Sequence, residues 1–274
     1  MDIMFRIQEI ILLLYFISLS ALSYDLFTRN RQVRKASLYV MTPAVVLHVI
    51  SVIQLGISLR RIPILTFSEG IFTLSLVLIL IGIVHLYRVK SEFVFMFYLL
   101  ITTFLLTFYT FSPLNFSSTA LTLDVVNELL IVHVGSALLA YVMFFIAMVH
   151  SVIYLIQERN LKTKKFNRTF FSLFSIETAK KVMVRFSLIG VILLTISIII
   201  GIVWGLQILG PLVFSDLKVI GTFVVIVIYG IILAQMRLNH DASKFAVYST
   251  AAFVLVMLNY LVISEFSDFH LWSI

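Results

Sequence analysis

Residues 129–156 read LLIVHVGSALLAYVMFFIAMVHSVIYLI, and this stretch decides the fold. It contains no Asp, Glu, Lys or Arg, and it exceeds the roughly 20 apolar residues that carry a helix across a bilayer. Working outward, similar apolar runs occupy about 10–26, 37–59, 67–86 and 93–111 before it. Others occupy about 186–208, 219–236 and 245–264 after it. The pattern predicts an all-α integral membrane protein with eight transmembrane helices, forming a single polytopic domain over residues 1–274. The fifth run is long enough to tilt or to project from the bilayer.

Composition agrees. Of 274 residues, 61% are hydrophobic and 12% charged. The mean hydropathy is +1.12, outside the range of soluble domains. Cysteine is absent, which excludes disulfides, thiolate metal sites and covalent thioether attachment of a cofactor. The first run follows Glu9 and precedes Arg29, Arg31, Arg34 and Lys35, the reverse of a signal peptide's charge order. It therefore reads as a retained first span.

Basic residues in alternate connections set the expected orientation. One set holds sixteen, including Arg29, Arg31, Arg34, Lys35, Arg88, Lys90, Arg237, Lys244 and those of 157–185. The other set holds Arg6, Arg60, Arg61 and Lys218. Positive residues favour the cytoplasmic side, so both termini are expected outside. The net charge of +7 is explained by cytoplasmic loops beside anionic lipid, and no nucleic-acid partner is expected.

The histidines carry the chemistry. His133 lies just inside the outer end of the fifth span, and His270 just beyond the outer end of the eighth. Two imidazoles on one membrane face suit axial ligation of a planar metallocofactor such as b-type haem, held non-covalently. Around them fall the outer loops RRIPILTFSEG (60–70), SPLNFSSTALTLDVVNE (112–128) and GPLVFSDLK (210–218), and the tail EFSDFHLWSI (265–274). Trp204, Phe214 and Trp272 supply aromatic faces for such a ring, and Arg60 or Arg61 supplies a cation for its carboxylates. Asp216 has two readings: orienting a ligand imidazole, or capping the seventh span. His48, near the middle of the second span, also has two: a cofactor ligand, or a hydrogen-bond donor to a neighbouring helix, with Gln235 one fitting partner. His85, His150 and His240 are expected at the interface or in solvent.

Four stretches together resemble the cytochrome c assembly family. These are VVLHVISVIQLGISLRRIPILTFSEGIF (45–72), IVHVGSALLAYVMF (131–144), GVILLTISIIIGIVWG (190–205) and VLVMLNYLVISEFSDFHLW (254–272). The resemblance spans about 37–274. Two departures stand out. Where the family carries a tryptophan-rich loop of the form WGxxWxWD, LGPLVFSDLK (209–218) keeps Asp216 and Lys218, with Trp204 upstream. Where haem-delivering members carry a seventh-span histidine, YGIILAQMR (229–237) has Gln235. These losses resemble a short, eight-span branch found near haem-biosynthesis genes in Gram-positive bacteria. The resemblance implies a haem-binding regulator that lowers glutamyl-tRNA reductase, and a cell-membrane location. Haem delivery in cytochrome c maturation is one alternative, and a small-molecule transporter is another. The chain shows no nucleophile–base spacing or phosphate loop, so no enzymatic activity is expected.

The long connection ERNLKTKKFNRTFFSLFSIETAKKVMVR (158–185) mixes cations with Phe166, Phe170, Phe171 and Phe174. It has two readings: an amphipathic segment at headgroup level, or a docking surface for a cytoplasmic partner.

Overall fold

In the computed structural model the described residues are 3–89, 91–111, 128–166, 170–171, 173–208 and 210–261. Among them there is no strand, and eight helices are long and apolar enough to cross a membrane. The chain is thus an all-α multi-pass membrane protein. It divides into two compact units, residues 1–118 and 119–274. The first contains α1 (Ile3–Thr28), α2 (Arg31–Leu59), α3 (Phe67–Val89) and α4 (Glu92–Phe111). The second contains α5 (Glu128–Lys162), α6 (Ile176–Ile208), a 3-10 turn (Gly210–Ser215), α7 (Leu217–Asn239) and α8 (Ala242–Leu261).

Short polar residues start the helices, because the first turn leaves backbone N–H groups without intrahelical acceptors. Asn30 accepts from the Gln32 N–H at 3.0 Å, Ser175 from Thr178 at 3.2 Å, and Asp241 from Lys244 at 3.0 Å. Thr66 and Glu69 form a reciprocal box: Thr66 Oγ1 accepts from the Glu69 N–H, and Glu69 Oε2 from the Thr66 N–H. At the other ends, Arg60 and His240 close α2 and α7 in the left-handed conformation, with φ of 51° and 53°. Their N–H groups return to the last turn of the helix.

In the first unit, α1 and α2 meet through two fully buried serines. Ser18 Oγ donates to the Ser37 carbonyl at 3.0 Å, and Ser37 Oγ to the Ser18 carbonyl at 2.8 Å. Small residues let the backbones come this close, and the hydroxyls then bridge them. Gly82 does the same for α3, since a Cβ there would lie 2.6 Å from the Tyr98 Cβ.

In the second unit α5 is the hub. Phe144 stacks on Tyr229 of α7 at 4.2 Å, and Phe145 and Tyr141 pack against Phe253 and Tyr260 of α8. Gly190 and Gly201 of α6 receive Phe144 and His133 of α5. Outward positions such as Ile192, Ile196, Ile199 and Val203 are exposed, as lipid-facing side chains should be.

The two long helices extend beyond the apolar runs. α5 has 35 residues and α6 has 33, so each is about 50 Å long against a hydrocarbon core of about 30 Å. Much of the connection expected over 157–185 is therefore helix. What remains between α5 and α6 is tied down: buried Gln157 donates through Nε2 to the Phe170 and Phe174 carbonyls at 3.0 and 2.8 Å. Phe174 then covers His150, whose ring is 1% exposed and donates from Nδ1 to the Ile146 carbonyl at 2.8 Å. His150 is thus a core residue rather than an interfacial one. His240 is exposed, as expected, and His85 pairs with the Tyr98 hydroxyl at 2.7 Å.

Candidate functional site

In unit two, the start of α5, the end of α6, the start of α7 and the end of α8 bring His133, Trp204, Asp216 and Lys218 to one end of the bundle. His133 is held by a single turn of α6. Its Nδ1 lies 2.7 Å from the Ser197 carbonyl oxygen and 3.1 Å from Ser197 Oγ. Ser197 Oγ donates in return to the His133 carbonyl at 2.8 Å. A carbonyl can only accept, and the serine proton is already committed, so Nδ1 carries the ring proton. In the neutral ring Nε2 then carries the lone pair, the atom a transition metal takes from imidazole. A metal-bound histidine commonly has its other ring nitrogen anchored on a carbonyl in this way.

This donor fits a haem iron. Among the described residues no group of three His, Cys, Asp or Glu side chains is placed to hold a bare metal ion. A porphyrin brings four nitrogens of its own and needs only axial imidazoles, which His133 suits. His270 and Trp272 lie outside the described residues.

The remaining candidates separate. Asp216 is the N-cap of α7, its Oδ1 accepting from the Lys218 and Val219 N–H groups at 2.8 and 3.3 Å. Trp204 is 1% exposed and fills the core of the second unit, whereas Phe214 is 55% exposed. In the first unit, Arg61 closes its guanidinium bidentately on Glu69 at 2.7 and 2.8 Å, while Arg60 is exposed.

His48, 0% exposed, sits in the core of the first unit with helices α1, α2 and α3 around it. Its Nε2 donates to the Phe72 carbonyl at 3.2 Å, and its Nδ1 accepts from the Tyr15 hydroxyl at 3.4 Å. Phe72 stacks on Tyr109 of α4 at 4.9 Å, and Gln8 donates to the Tyr109 hydroxyl at 2.9 Å. To coordinate iron, His48 would first have to surrender one of these bonds. Gln235 is exposed on α7, unlike a buried hydrogen-bond partner.

Lys218, in sequence a loop cation retained beside Asp216 and not a site residue, belongs to this end of the unit. It is buried, its Nζ donates to the Asn259 carbonyl at 2.6 Å, and it lies 5.4 Å from the centre of the Tyr260 ring. Ser197 and Gly201 were also missed. Their signal was the small-xxx-small spacing in SIIIG (197–201), which allows close approach of a neighbouring helix.

The fold and this end of the second unit define a polytopic helical membrane protein with a part-buried imidazole anchored through Nδ1 on a backbone carbonyl. The sequence comparison then places it. The family model described as cytochrome C assembly protein matches residues 8–270, so the chain belongs to that family. It is 28% identical over 271 residues to the Protein HemX of Bacillus subtilis (strain 168), covering 98% of each chain. It is 26% identical over 270 residues to the Protein HemX of Brevibacillus brevis, covering 97% of each.

Proposed function

We propose that this protein is a non-catalytic haem sensor in the cell membrane of a Gram-positive bacterium. It holds b-type haem non-covalently, with His133 and His270 as axial ligands to the iron. Through that occupancy it lowers the level of glutamyl-tRNA reductase, the entry enzyme of tetrapyrrole synthesis. The observation that carries the haem reading is the fixed tautomer of His133, set by the 2.7 Å bond from Nδ1 to the Ser197 carbonyl. Full-length likeness to the HemX proteins supports the regulatory branch over the delivery branch. When bound, haem supplies an iron centre whose occupancy follows tetrapyrrole supply.

The distribution of cations supports an orientation with both termini and the His133 end outside and the α5–α6 connection in the cytoplasm. In that orientation the connection around Lys164, Lys165 and Phe166, all exposed, is the surface offered to the reductase.

Two measurements test the proposal. Titration of the purified protein with haemin should give a bis-imidazole spectrum that disappears in the His133→Ala, His270→Ala double variant; an unchanged spectrum would sink the haem site. Deletion of the gene should raise glutamyl-tRNA reductase while holo-cytochrome c stays normal. Lost cytochromes with unchanged reductase would instead assign the protein to cytochrome maturation.

A further inference from the structure

Gly201 offers more than close packing. A Cβ built on it would lie 2.5 Å from His133 Cε1, 2.6 Å from Nδ1 and 3.2 Å from Nε2, closer than real Cβ atoms approach. Four residues earlier on the same face of α6, the Ser197 carbonyl accepts the Nδ1 proton. In a regular helix that carbonyl also accepts the Gly201 N–H, and its two lone pairs suffice for both. The imidazole is therefore held against bare backbone, with its Nδ1 on a carbonyl and its Cε1–Nδ1 side where a methyl group would stand.

We infer that Ser197 and Gly201 together form a seat that sets the tautomer and direction of the His133 ring, with Gly201 the positioning residue. This rests on the haem reading of His133 only for its effect on ligand binding, because the seat itself is a property of the protein without ligand. The ring is the far end of a side chain, so an added methyl group displaces the imidazole more readily than it displaces α5 from α6. A substitution at Gly201 then costs orientation more than stability. By contrast, a Cβ at Gly190 would meet Phe144 at 2.8 Å, and a Cβ at Gly230 would meet nothing within 4 Å. Those two glycines are matched controls, one for crowding elsewhere on α6 and one for the loss of a helix glycine alone.

The test uses the full chain labelled with 15N-histidine, with the His133 signals assigned by their loss in His133→Gln. In the wild type they should report a proton on Nδ1 and none on Nε2. Gly201→Ala should shift or mix this tautomer signature and weaken haemin binding on the order of 10–100-fold, the usual range for disturbing a ligand's supporting contacts. Ser197→Ala, which keeps the carbonyl and loses the return hydroxyl, should do so by less. Gly230→Ala should change neither readout, and Gly190→Ala should lower the melting temperature while leaving the His133 signals in place. A protonated Nε2 in the wild type would overturn the seat, and so would unchanged signals and haemin affinity in Gly201→Ala. Should Gly201→Ala fail to fold, the wild-type tautomer and the Ser197→Ala shift decide instead. If the signals shift as expected but no form of the protein binds haemin, the seat stands and the haem reading falls.

Discussion

His48 and His133 are the same residue in similar surroundings, each on a membrane-spanning helix with a backbone carbonyl against one ring nitrogen, yet they are built as opposites. At His48 the carbonyl of Phe72 takes the Nε2 proton, and the Tyr15 hydroxyl reaches Nδ1. Both nitrogens serve the bundle. At His133 the carbonyl and hydroxyl of Ser197 converge on Nδ1, which sends the lone pair to Nε2. A carbonyl on one nitrogen or the other thus sets opposite tautomers in the two rings.

The comparison breaks most directly in a haemin titration. His133→Ala should weaken haemin binding at least as much as the roughly 10–100-fold seen when only a ligand's supporting contacts are lost. His48→Ala should leave the haemin spectrum in place. Equal losses from the two would dissolve the distinction.

The next largest effect concerns stability in the first unit. Arg61→Ala strands the Glu69 carboxylate, 8% exposed, and should cost about 3 kcal/mol by thermal or denaturant unfolding, with no change in the haemin spectrum. A spectral change there would return Arg61 to the cofactor.

A double-mutant cycle then measures the His48 contact itself. His48→Ala and Tyr15→Phe should show a coupling of about 0.6 kcal/mol and no more than about 1.7 kcal/mol, the range for hydrogen bonds between membrane helices. Strict additivity would mean that the 3.4 Å contact contributes nothing. Asp216→Ala, which removes the cap of α7, should cost a comparable amount, about 1 kcal/mol. A haemin spectrum altered beyond that loss of stability would revive its reading as an imidazole partner.

Much of the fold was legible because lipid imposes length. The apolar runs at 67–86 and 93–111 lie within α3 and α4, and 219–236 lies within α7. The run 186–208 understated α6, which begins at Ile176, because Glu177, Lys180, Lys181 and Arg185 sit on a helix extending past the apolar segment. Hydropathy detects the bilayer, whereas a helix follows its backbone hydrogen bonds. His133 was legible as a candidate from its residue type and its place near a span end. Its seat was not, since that depends on which face of α6 turns toward α5, and the run TISIIIGIVWG (195–205) is apolar nearly all round. His150 was misjudged for a related reason: nothing in its own span shows that Gln157 folds Phe174 over it.

The pinning of His133 against Gly201 also constrains how such chains diverge. A lineage that keeps the histidine should admit only glycine at the facing position, and should reject single-residue insertions or deletions between the two contact points on α6. Once the histidine is lost, that restriction lifts, and the position becomes open to alanine, valine or leucine. The size of the residue facing position 133 would then record in a relative's sequence whether its imidazole is still in use.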